Sequence, residues 1–154
     1  MACCLMMPKS RGSVTITSAD PLEKPRVEHL MFAHEEDVER LARAAREALK
    51  IINAEPLRDH IEEIDFPLAA DAGRDEWHDY LRQAAFRGDH PSGTCRMGAD
   101  DASVVDPRLR VRGIDGLRVA DTSIIPLIPR ANTNATALMI GDKASRMILD
   151  DRGG

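Results

Sequence analysis

Residues 90–134 set the hardest condition on any fold of this chain. They are rich in Gly, Pro, Asp and Thr and show no helical stripe, only short β-like runs at Leu109–Val111 and Leu117–Val119. Yet they carry Val104, Val105, Leu109, Val111, Leu117, Val119, Ile124 and Ile125, aliphatic side chains that favour burial. A loop of this length in a compact domain is usually functional or disordered, and the aliphatic content argues for the ordered, functional kind.

Helical patterns flank the loop. From Glu35 to about Ile52, Val38, Leu41, Ala45, Leu49 and Ile52 form a one-sided stripe. Glu35, Glu36 and Asp37 suit its first turn, where the helix dipole favours negative charge, and Pro56 prevents continuation. Its Arg40, Arg43 and Arg46 read as a solvated face. A polar linker over 69–73 leads to a second helix, Asp75–Phe86, carrying Trp77, Tyr80, Leu81 and Ala84, with Gly88 as its expected stop. After the loop, Thr133–Leu149 places Ala137, Ile140, Ala144 and Met147 on one face, with Asn132 or Thr133 at the N-cap. Ser13–Ser18 alternates and predicts a strand; Arg26–Leu30 predicts a short extended piece.

Length and composition limit the function. The 154 residues suggest one domain with a real core. A net charge of −5 and 3% aromatics exclude a basic nucleic-acid surface or a base-stacking platform. No apolar run approaches the roughly 20 residues of a membrane span. Cys3, Cys4 and Cys95 form neither a disulfide framework nor a CxxC pair, which points to reduced thiols in the cytoplasm. His29, His34, His60 and His78 lack metal-ligand spacing, and Ser92 lacks a nucleophile elbow. The first residues do not form a secretory signal. A strand so near the start implies a further N-terminal part.

Two segments concentrate polar groups able to act on a ligand. In His90-Pro91-Ser92-Gly93-Thr94-Cys95-Arg96-Met97-Gly98, a histidine follows a helix stop, and two glycines permit close backbone approach to a ligand. In Pro129-Arg130-Ala131-Asn132-Thr133-Asn134, polar residues open an apolar helix whose free N–H groups favour an electron-rich ligand atom. Between them a short strand runs into Asp121, Thr122 and Ser123. By residue type alone, a loop histidine is more often structural and an asparagine pair at a helix start more often a cap.

The segments HPSGTCRMG, VVDPRLRVRGIDGLRVADTSIIP and NTNATALMIGDKASRMI, in this order, closely resemble the C-terminal region of the glucose-methanol-choline (GMC) flavin oxidoreductases, in particular choline- and alcohol-dehydrogenase-like members. The match is dense from His90 to Leu149, and Pro8–Val14 with Ser18–Pro21 resembles the family's entry into this region. The resemblance implies FAD as cofactor and oxidation of an alcohol by hydride transfer to the flavin. It places the active-site histidine on His90 and the second active-site position, His or Asn in the family, on Asn132. It places Asp121, Thr122, Thr133 and Asn134 along the flavin. A neutral imidazole can accept the hydroxyl proton, an amide can hold the oxygen, and the helix start can stabilise charge gained at the flavin's pyrimidine edge.

The implied fold is α/β: an α+β piece of the substrate domain over about 13–90, then, over about 91–154, the closing strand and final helix of the FAD domain. The implied partners are a small-molecule alcohol and an N-terminal FAD-binding segment. The chain departs from the family in having no Gly-x-Gly-x-x-Gly, in Met7 where a basic residue is commoner, and in Asp89 where an aromatic usually precedes the histidine. The alternative is a truncated, non-catalytic unit that serves only in structure or partner binding.

Overall fold

A computed structural model describes residues 2–153. The chain divides between Gly88 and Asp89 into two compact units, each with its own buried apolar cluster.

In the first unit, β1 (Ser13–Thr15) pairs antiparallel with β2 (Arg26–Glu28), Val14 opposite Val27. The strand expected over Ser13–Ser18 stops at Thr15, where its partner ends, and Ile16 is exposed. Helix α1 (Glu35–Ile52) occupies the span its stripe predicts. It buries Val38, Leu41, Ala42 and Leu49 against Trp77 and Leu81 of α2 (Arg74–Ala84). Phe66 tilts against Trp77 with ring centroids 5.6 Å apart.

Two expectations for this unit need correction, and a third is met and extended. Gly88 is not the stop of α2, which ends at Ala84 with Ala85 extended. Leu81 is the last buried residue of α2; Ala85 packs against the same core from an extended backbone, and Phe86 beyond it is exposed. The arginines of α1 are not one solvated face. Arg43 is exposed, but Arg40 donates to the Met6 and Met7 carbonyls, and Arg46 lies 5.2 Å over the Trp77 ring. Asp37 does more than complement the dipole. It is buried and accepts the Lys9 and Ser10 N–H groups and the Ser10 hydroxyl, at 2.6–2.9 Å. Burial pushes its carboxyl up, but these donors together with Arg40 outweigh burial and hold it below the usual range.

In the second unit, α3 (Asn134–Gly153) lays Ile140 and Ala144 on Val105, Leu109, Ile124 and Ile125, with Met147 at the margin. Of the loop aliphatics expected to be buried, Val104 and Leu117 are exposed. The expected closing strand is absent among the described residues: Arg118 makes a single antiparallel bridge to Arg110, and Val105 bridges Met97 and Val111.

Candidate functional site

The second unit brings the His90 segment, the 121–125 turn and the start of α3 together. Asp89 takes a left-handed φ of +52°, uncommon outside glycine, and turns the chain into His90. Beyond His90 the backbone lies along the turn: Cys95 N–H donates to the Ser123 carbonyl at 3.0 Å, and Met97 N–H to the Ile124 carbonyl at 2.7 Å. The Thr122 hydroxyl donates to the Pro91 carbonyl at 3.2 Å. Asp121 caps the 3-10 turn Thr122–Ile124 by accepting the Ser123 N–H at 2.7 Å.

The glycines of the first motif lie against other parts of the same unit. Gly93 has φ +90° and a Cβ there would lie 3.3 Å from the Ile125 carbonyl. A Cβ on Gly98 would meet Asp100 at 2.7 Å and Ser103 at 3.0 Å. These glycines admit the chain's own neighbours.

His90 is partly buried, and its Nδ1 lies 3.1 Å from the hydroxyl oxygen of buried Thr133. The Thr133 carbonyl accepts the Ala137 N–H at 2.8 Å, the first intrahelical bond of α3. Thr133 therefore holds the N-cap position through its backbone while its side chain bonds His90. Asn132 and Asn134 are exposed on either side. The Asn132 side chain makes no hydrogen bond among the described residues, so it does not cap the helix. The N–H groups of Asn134, Ala135 and Thr136 precede that first helical bond and point outward from the helix start.

Ion pairs brace the loop around the site. Arg96 binds Asp100 through both terminal nitrogens, at 2.6 and 2.9 Å, and holds its carboxyl down to about 2. Arg118 and Arg108 both bind Asp151 of α3 and hold its carboxyl below the usual range. The His90–Thr133 contact, the Thr122–Pro91 tie and these braces were missed by sequence reasoning. The hydroxyls carry no spacing signal; Arg96 and Asp100, four residues apart, carry a weak one.

A family model described as GMC oxidoreductase, for the C-terminal region, matches residues 8–141. The chain belongs to the GMC oxidoreductase family. An uncharacterized GMC-type oxidoreductase of Mycobacterium tuberculosis is 44% identical over 147 residues, which are 94% of this chain and 28% of that protein. An oxygen-dependent choline dehydrogenase of Brucella ovis is 43% identical over 94% of this chain and 27% of its own length. Among solved structures, a formate oxidase variant of Aspergillus oryzae superposes with a TM-score of 0.87 at 33% identity, covering 94% of this chain and 26% of that one. The chain spans about a quarter of the length of the relatives it matches. This GMC chain combines helices with a small two-stranded sheet.

Proposed function

We propose that this chain is the C-terminal part of an FAD-dependent oxidoreductase that oxidises a CH–OH group, of a choline-like or other alcohol, with His90 and Asn132 at the reacting centre. The observation that carries the reading is the hydrogen bond between His90 and Thr133, which holds the imidazole beside the start of α3 and its exposed asparagines. The names of two relatives, an oxygen-dependent choline dehydrogenase and a Pseudomonas putida alcohol dehydrogenase (acceptor), support an alcohol as substrate. In this reading the first unit belongs to the substrate domain and the second to the FAD domain. The three cysteines are free, which supports a reducing compartment, the cytoplasm.

The donor set fits a flavin edge. A helix of 20 residues opens with N–H groups that have no intrahelical partner, flanked by two exposed amides, and such an end favours electron-rich heteroatoms. Asn134 and the backbone at Thr133 would hold that edge, with Asp121 and Thr122 along the same ligand. FAD, when bound, supplies the acceptor for the hydride. His90 accepts the hydroxyl proton as the carbon loses its hydride, so the alcohol leaves as the carbonyl compound. The Asn132 amide holds the oxygen and fixes the direction of the carbon–hydrogen bond.

In the flavin-loaded protein that carries these residues, Asn132→Ala should slow alcohol-driven flavin reduction about tenfold or more without altering the circular dichroism spectrum. A loss of stability with unchanged reduction in the folded fraction would return Asn132 to a structural role.

A further inference from the structure

We infer that Thr133 is a positioning residue that fixes the tautomer of His90, leaving Nε2 as the atom that takes the substrate proton. The inference rests on the reading of His90 as the base and adds to it a residue and an atom. Imidazole Nδ1 and the Thr133 hydroxyl oxygen are 3.1 Å apart, and Thr133 is 7% exposed. Its carbonyl is engaged in the first turn of α3, and that helix is anchored in the core through Ile140 and Ala144. The hydroxyl is thus held on a rigid element, as a group that orients a base requires.

Chemistry selects the direction of the bond. A hydroxyl can donate or accept, and a neutral imidazole carries one N–H. If the Thr133 hydroxyl donated to Nδ1, the hydrogen would sit on Nε2 and that nitrogen could accept no proton. The bond would also have to reverse once the ring became an imidazolium, which only donates. If Nδ1–H donates to Oγ1, Nε2 keeps its lone pair, and the same bond persists in the protonated ring. Only the second arrangement serves both states of a base without moving either side chain.

Nitrogen-15 NMR of histidine-labelled full chain reads the tautomer directly, without flavin or turnover. Wild type should show His90 with its hydrogen on Nδ1. Thr133→Val should shift His90 toward the Nε2–H form, and Thr133→Ser should restore Nδ1–H. A wild-type His90 with its hydrogen on Nε2 would overturn the inference, as would a spectrum unchanged in Thr133→Val. In the flavin-loaded protein, Thr133→Val should slow flavin reduction up to about tenfold, with recovery in Thr133→Ser. If His90→Ala abolishes reduction while Thr133→Val leaves it unchanged, His90 remains the base and the positioning role falls. If His90→Ala has no effect, the base reading falls, and the NMR result still decides the tautomer.

Discussion

Replacing His90 by alanine is expected to slow alcohol-driven flavin reduction about 10²–10⁴-fold, the range a positioned general base contributes. The flavin itself should be retained, because the groups assigned to hold it lie at 121–122 and 133–134, not on the imidazole. The substitution leaves the Thr133 hydroxyl, buried at 7% exposure, without its His90 partner. That costs about 1 kcal/mol of stability, too little to unfold the unit. Rapid-mixing spectroscopy without oxygen measures the reduction step, and flavin content is read from the same sample. Unchanged reduction in a flavin-loaded His90→Ala protein would remove His90 from the chemistry.

The second large effect concerns the first unit. Trp77→Ala should destabilise it by about 3–5 kcal/mol, the cost of a large aromatic removed from a packed core. Trp77 is fully buried among Val38, Leu41, Ala42, Leu49 and Leu81, with Phe66 on one side and the Arg46 guanidinium over the ring. Its indole N–H has no hydrogen-bond partner among the described residues. Trp77→Phe removes that unpartnered donor together with some volume, so its cost should be smaller, about 1–2 kcal/mol. Hydrogen exchange of the α1 and α2 amides reports the local opening energy for both variants. Equal losses for phenylalanine and alanine would mean that packing around the ring is not what holds these helices together.

Legibility in the sequence followed the range of the interaction. Helix α1 was readable from Glu35 to about its end because its stripe and its acidic first turn are local, periodic signals. The end of α2 was not: the backbone turns extended at Ala85, before Gly88, and packs Ala85 against the core from there. Asp37 looked like one of three dipole-matching acids; only the fold shows Lys9 and Ser10 donating to it from 27–28 residues away. In the second unit the aliphatic content of 90–134 foretold an ordered loop, and Val105, Leu109, Ile124 and Ile125 do form its core with α3. Val104 and Leu117 carry the same residue types but face outward, a difference no periodicity announced. Motif order carried the family. The contact between His90 and Thr133 spans 43 residues, and a threonine hydroxyl leaves no pattern by which it could be found beforehand.

The most direct test of the account is the visible absorption spectrum, taken with intact mass, of the protein purified from its source with these residues in it. Flavin absorbance should accompany the chain or complex that contains them, and should bleach when an alcohol is added in the absence of oxygen. A colourless protein that neither retains nor takes up FAD would contradict the account. It would leave His90 and Asn132 as parts of a structural or partner-binding unit.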